Sequence, residues 1–164
     1  MMKISSRHPP DLDETDVRIL DLLQRDSSLS TAQLAEAVNL STSPCWRRIN
    51  RLEQEGYIRR RVTLLDPEKL GFTTIVFATV RLSAHGRANL NDFSEAIGRF
   101  PEVVECYATL GASDFILKIV TRDIKAYEAF FFGQLSTLPA IQEIHSTIAL
   151  SEVKSTTELP IRRR

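Results

Sequence analysis

Residues 29–56 read LSTAQLAEAVNLSTSPCWRRINRLEQEG, and this run decides what the front of the chain is. It holds two helix starts. At the first, Ser30 caps, Gln33 supplies the reciprocal side chain three residues on, and Leu29 staples to Leu34 across the start. That helix ends near Val38-Asn39, because Asn adopts a left-handed turn at low cost. Only Leu40 then precedes Ser41, which caps the next helix. Pro44 falls in the first turn, where its missing N–H costs little, and Gly56 stops the helix just after Gln54. Two short amphipathic helices joined by about three or four residues describe a helix-turn-helix.

Upstream, LDETDVRILDLLQRD starts a further helix, with Asp13 as cap, Asp16 at the third position and Leu12 stapling to Val17. Asp26-Ser27-Ser28 closes it. Residues 1–10 read as a flexible arm that His8-Pro9-Pro10 ends. Downstream, Tyr57–Leu65 reads as a wing-like strand and Asp66-Pro67 as a turn.

The back half has another rhythm. TTIVFATVRL (73–82) is β-branched and aromatic, with Val76, Ala78, Val80 and Leu82 on one face and Ile75 and Phe77 on the other. Arg87–Phe100 reads as a helix, with Leu90, Phe93, Ile97 and Phe100 at helical spacing. VVECYATL (103–110) and FILKIVT (115–121) read as strands, Ile124–Leu135 as a helix and IQEIHSTIAL (141–150) as a last strand. The order is β-α-β-β-α-β, a ferredoxin-like αβ sandwich. Two helices cover one face of such a sheet, so a second copy is expected on the other. The expected α+β organisation is an arm (1–10), a winged-helix-like helix-turn-helix domain (11–62), a linker (63–72), a sensing and oligomerisation domain (73–153) and a tail (154–164).

The 164 residues carry 21 Lys+Arg against 21 Asp+Glu, yet the charge is not spread evenly. Residues 41–61 hold six arginines against Glu53 and Glu55, whereas residues 72–153 hold six bases against nine acids. A basic front and an acidic back point to two modules with different partners. No apolar run is long enough for a membrane span, and the start MMKISSRHPPDLDE lacks a signal-peptide core, so a cytoplasmic protein with no membrane partner is expected. Cys45 and Cys106 form no CxxC pattern, and His8, His85 and His145 are scattered. No metal or other cofactor is expected, and with neither a Gly-rich phosphate loop nor a GxSxG run, no enzyme.

On a helical wheel of residues 41–54, Cys45, Ile49 and Leu52 form one stripe. Ser43, Arg47, Asn50, Arg51 and Gln54 lie opposite, with Arg48 on one flank and Trp46 on the other. Arg grips guanine with two parallel hydrogen bonds, and Asn does the same to adenine. Hydroxyls and N–H groups at a helix start hold phosphate. The expected contacts to double-stranded DNA are therefore Ser41, Thr42, Ser43, Trp46, Arg47, Arg48, Asn50 and Arg51, with Arg59, Arg60 and Arg61 reaching the flanking backbone. Trp46 has two open readings: packing against the strand after Gly56, or touching a sugar or thymine methyl.

The segments DETDVRILDLLQRD, LAEAVNLS, SPCWRRINRLEQEGYI, TLLDPEKLG and SEVKSTTELPI resemble the Lrp/AsnC (feast/famine) transcriptional regulators of bacteria and archaea. The resemblance runs from about Leu12 to Ile161 and looks most like a proteobacterial, DecR-type branch. It implies a DNA-binding front and a ligand-sensing back that dimerises, commonly gathers into octamers of four dimers, and binds amino acids between dimers.

The turn TLGASDF (109–115) is the candidate effector site. Gly111 permits an unusual backbone angle, exposed N–H groups bind a carboxylate, and Asp114 accepts from an ammonium. Gly111 and Asp114 match the G-x-x-D effector loop implied by the resemblance, with Ala112 and Ser113 between them. Thr109, Ser136 and Thr137 are weaker candidates. The same turn is also readable as a plain hairpin. Two other functions compete. A related fold serves as sirohaem decarboxylases, for which His85 and His145 are the sole candidates here. An architectural DNA protein of low selectivity would use the same basic helix.

Overall fold

The computed structural model describes residues 12–84, 86 and 90–161, so the expected N-terminal arm, His8, His85 and the closing triple arginine lie outside the described residues. The chain divides into two compact units: Met1–Thr63 with Lys154–Arg164, and Leu64–Val153.

In the first unit, helices α1 (Glu14–Arg25), α2 (Thr31–Ala37) and α3 (Thr42–Gln54) form around Ile19, Leu23, Leu34, Ala35, Val38, Cys45, Ile49 and Leu52. Burying each of the larger aliphatic side chains contributes about 1.5–3 kcal/mol. Both α1 and α2 open on complete capping boxes, Asp13 with Asp16 and Ser30 with Gln33. Asn39 takes a φ of 55°, and Leu40 N–H donates to Ala35 O at 2.8 Å, which turns the chain from α2 into α3. Ser41 occupies the N-cap of α3, but its hydroxyl makes no capping hydrogen bond.

The expected wing strand over 57–65 is not formed. The N–H groups of Tyr57 and Ile58 both donate to Leu52 O, at 2.9 and 3.2 Å, closing the end of α3, and both side chains pack on the helical core. No strand of the described chain pairs with the residues that follow, and a strand without a ladder leaves its backbone unsatisfied. Val62, Leu64 and Leu65 are exposed.

Residues 154–161 belong to the first unit. Gln24 in α1 donates from Nε2 to Leu159 O at 3.1 Å, and Leu159 N–H donates to Gln24 Oε1 at 2.9 Å. Arg25 lies 3.5 Å from Glu158.

The second unit holds β1 (Thr74–Leu82), α4 (Leu90–Ile97), β2 (Val103–Ala108), β3 (Phe115–Thr121), α5 (Ile124–Gly133), a 3-10 turn (Leu135–Thr137) and β4 (Ile141–Ile148). The sheet order is β2-β3-β1-β4, and every neighbouring pair is antiparallel. Val76, Ala78, Val80 and Leu82 are buried with Phe115, Leu117 and Ile119, Phe93 and Ile97 of α4, and Tyr127 and Phe130 of α5. Leu90 was expected on that apolar stripe but is exposed, standing at the first turn of α4. Gly86 is buried so close to β4 that an added Cβ would lie 2.5 Å from Ala140 O.

The opposite sheet face carries Ile75, Phe77 and Thr79 of β1, Ile116 and Lys118 of β3, Tyr107 of β2 and His145 of β4. Phe77 is 45% exposed, which is large for a central-strand aromatic.

Candidate nucleic-acid interface

Helix α3 is anchored by Cys45, Ile49 and Leu52, all buried. Burial pushes the Cys45 thiol above its ordinary range, against the opposing pull of Arg48, so it packs as a neutral apolar group. This anchoring turns Thr42, Ser43, Trp46 and Arg47 outward as exposed residues, with Asn50 half-buried beside them. Trp46 is 56% exposed, and the strand after Gly56, the packing partner in one of its two readings, is not formed.

The three arginines of α3 are divided in role by α1. Arg48 Nη1 donates to Asp13 Oδ2 at 2.5 Å and to Asp16 Oδ1 at 2.8 Å. Arg51 Nη2 donates to Asp16 Oδ2. Asp16 is only 1% exposed, so a nearly buried carboxylate is shared by two guanidinium groups. Asp16 accepts both arginines and also closes the capping box by accepting from Asp13 N–H at 3.3 Å. The hydrogen bonds that Arg48 donates to the side chains of Asp16 and then Asp13 hold it above its ordinary pKa, and the bond that Arg51 donates to Asp16 does the same for Arg51. Partial burial pushes Asp13 up, but the Asp16 N–H and the Arg48 guanidinium outweigh it and leave Asp13 below the usual carboxylate value. Arg47 has no ion pair among the described residues and stands exposed.

Beyond the helix, Arg59 and Arg60 are exposed. Arg61 is drawn back to Glu53 at 3.0 Å. The C-terminus of α2 is closed from outside by Arg18, whose Nη2 donates to Ala37 O at 2.8 Å. Of the expected DNA-facing residues, Thr42, Ser43, Trp46, Arg47, Arg48, Asn50 and Arg51 thus share one helix, with Ser41 at its N-cap and Arg59 and Arg60 beyond it, but Arg48 and Arg51 are turned to α1. Sequence reasoning missed Asp16 as the organiser. A comparison of the α1 and α3 wheels could have suggested it, since Arg48 and Arg51 flank the apolar stripe of α3.

In the second unit, Thr109, Gly111, Ala112, Ser113 and Asp114 form one turn between β2 and β3. Thr109 N–H donates to Asp114 O at 2.9 Å, and Thr109 Oγ1 donates to Ser113 O at 2.6 Å. Gly111 has φ 157°, open to glycine and strained for other residues. The Asp114 carboxylate accepts the N–H of Leu82 at 2.7 Å, and its own N–H donates to Val80 O at 2.9 Å. The register of β1 against β4 shifts between Arg81 and Leu82, next to this contact. Asp114 therefore ties the turn to the end of β1. Ser136 and Thr137 sit apart in the 3-10 turn after α5, where Thr137 donates to Gln134 O at 2.7 Å.

Two sequence families match the chain: one described as "Winged helix-turn-helix DNA-binding" over residues 12–59, the other as "Lrp/AsnC ligand binding domain" over residues 75–159. The chain is 37% identical over 150 residues to the DNA-binding transcriptional activator DecR of Escherichia coli K12, covering 92% of this chain and 99% of that one. A crystal structure of an AsnC family transcriptional regulator from Agrobacterium tumefaciens superposes with a TM-score of 0.86 at 45% identity, covering 92% and 97% of the two chains. An L-Met complex of a transcriptional regulator from Neisseria meningitidis superposes with a TM-score of 0.87 at 35% identity, again covering 92% and 97%.

Proposed function

We propose a mode of action for a chain that belongs to the Lrp/AsnC family of DNA-binding transcriptional regulators. It is a regulator and not an enzyme, as its relatives are named. In this reading α3 enters the major groove of a specific double-stranded site. Ser41, Thr42 and Ser43 meet phosphate at the helix start, Arg47 and Asn50 meet base edges, and Arg59 and Arg60 meet the flanking backbone. Arg48 and Arg51 serve a different end: they fasten α3 to α1 through Asp16. The observation that carries the reading is this anchored helix, with a core stripe on one side and an exposed donor-rich stripe on the other.

The second unit senses an amino acid or related metabolite. The Neisseria structure, an L-Met complex, supports that class. The turn around Gly111 and Asp114 offers backbone N–H groups to a carboxylate. A second copy covers the open sheet face, where Phe77 and Ile116 stand exposed. The dimer places two recognition helices in successive major grooves about 34 Å apart, and dimers gather into octamers in the cytoplasm. A ligand controls DNA binding in this scheme only by favouring one assembly over another. The test is selection of binding sequences from a random duplex pool with the full chain, followed by sizing with and without each amino acid. No enriched sequence would overturn the specific-regulator reading in favour of an architectural one, and a size unmoved by all twenty would overturn the sensing scheme.

A further inference from the structure

We infer that Trp46 reads the 5-methyl group of a thymine within the bound site, and so sets part of the sequence preference of this chain. The inference rests on the DNA-binding reading above and sharpens it. Three observations carry it. Trp46 is the only tryptophan of the chain and is 56% exposed on the recognition helix. Trp46 is not part of the domain core, to which Cys45, Ile49 and Leu52 contribute from the other side of α3. Ser43, Trp46, Arg47 and Asn50 follow the i, i+3, i+4, i+7 spacing of a single outward stripe. At about 100° per residue, Trp46 and Arg47 stand about 50° to either side of the line through Ser43 and Asn50. The remaining basic flank, Arg48 and Arg51, is turned to Asp13 and Asp16 of α1.

The chemistry of that stripe is then one cation, one amide and one apolar plate. Arg47 and Asn50 have hydrogen-bond partners on guanine and adenine edges. The apolar feature that the major groove offers is the thymine methyl, and it is the partner that an indole face takes without leaving a polar group unpaired. Trp46 lies one helical turn from Asn50, so the thymine it meets neighbours the base that Asn50 grips.

The test uses the full chain and an enriched duplex from the selection described above. Each thymine is replaced in turn by uracil, which deletes only the methyl. Binding is followed by anisotropy of labelled DNA and by the emission of Trp46 itself. The parent is expected to lose about fourfold in affinity at one thymine per half-site, the value of one buried methyl, and to show a changed Trp46 emission on binding. Trp46→Ala is expected to bind the uracil and thymine duplexes equally, and Trp46→Phe to keep part of the difference. Circular dichroism establishes that both variants keep their helices. A parent insensitive to uracil at every position overturns the inference, as does a Trp46→Ala chain that keeps the full sensitivity. Weakening by Trp46→Ala that is equal for all sequences would also overturn it, since that marks a backbone contact. In those three cases loss of selective binding by Arg47→Ala still upholds the regulator reading. Failure to enrich any sequence overturns both.

Discussion

Asp16 of α1 accepts a charge-assisted hydrogen bond from Arg51 of α3, across 35 residues of sequence, while almost wholly shielded from water. The same carboxylate holds Arg48 at 2.8 Å. A buried carboxylate is costly unless paired, so α3 is fixed against α1 by an electrostatic clamp as well as by packing. A basic recognition helix repels itself and its neighbours when no DNA is present. The clamp offsets that repulsion at two of its three arginines and leaves Arg47 facing outward.

The clamp separates two kinds of variant. Asp16→Ala removes the acceptor for both arginines and half the capping box of α1. It is expected to lower stability by about 1–3 kcal/mol, because Arg48 and Arg51 are accessible enough to be rehydrated. It is expected to weaken all DNA sequences alike. Arg47→Ala is expected to leave unfolding unchanged and to cost about 1–3 kcal/mol at one base pair only. Urea unfolding and binding to the selected duplex and its single-base variants distinguish them. A uniform loss in Arg47→Ala, or a stable Asp16→Ala chain, counts against the division of labour.

Asp114 calls for a finer substitution than alanine. Its carboxylate takes the Leu82 N–H at 2.7 Å, so Asp114→Ala strands a part-buried donor as well as removing a charge. That variant is expected to lose about 1–3 kcal/mol of stability whatever its effect on a ligand. Asp114→Asn keeps an acceptor for Leu82 and deletes only the charge. It is expected to melt close to the parent and to lose the response to the amino acid that the parent binds. Thermal unfolding and isothermal titration check both; an Asp114→Asn chain that titrates like the parent removes Asp114 from the effector site.

Acid should loosen the helical unit through Asp13. Its pKa in the folded chain lies below the ordinary 3.8. A carboxylate depressed by folding contributes stability that is fully present above the unfolded value and lost as pH falls through the folded one. The contribution of Asp13 is therefore constant from neutral pH down to about pH 5 and fades below about pH 4. Asp26, lowered by the Ser28 hydroxyl and N–H, acts in the same window. Arg48 and Arg51 stay charged throughout, their pKa values being raised. Melting followed by circular dichroism should show a shallower acid slope in Asp13→Ala than in the parent. Equal slopes would assign acid sensitivity to other carboxylates.

What the sequence made legible follows the range of the interactions. Capping boxes join residues three apart, so the starts of α1 and α2 were readable from Asp13-Asp16 and Ser30-Gln33. The alternating burial of β1 was readable because its apolar face and its exposed Phe77 obey a period of two. The winged helix-turn-helix class was legible, but the strand over 57–65 was over-read: Tyr57-Ile58 has strand composition, and both N–H groups are needed to close α3. The clamp was hidden for the opposite reason. Asp16 already had a local role in the capping box, and a wheel of α3 gives the directions of Arg48 and Arg51 without saying what stands beside them. Asp114 was legible as a turn residue, but its bond to Leu82 depends on sheet order and on the register shift in β1.

The tail bond to α1 is longer in range still, and it gives a prediction about chain order. The Gln24 side chain presents one donor and one acceptor to the backbone of Leu159, as a neighbouring peptide group would. Both bonds are exposed, so they contribute about 0.5–1.5 kcal/mol each, and the Arg25–Glu158 pair adds little. Gln24→Ala is therefore expected to shift global unfolding only slightly while releasing residues 154–161. Gln24→Glu is the sharper variant. It keeps an acceptor for Leu159 N–H, loses the donor to Leu159 O, and sets a new charge beside Asp21 and Glu158. It should free the tail at least as much as alanine does. Amide hydrogen exchange at Leu159 reads the outcome directly: exchange about tenfold faster in both variants is expected, matching the loss of roughly 1.4 kcal/mol of local protection. Unchanged exchange in Gln24→Ala would show that the tail is held by its apolar contacts, with Gln24 a bystander.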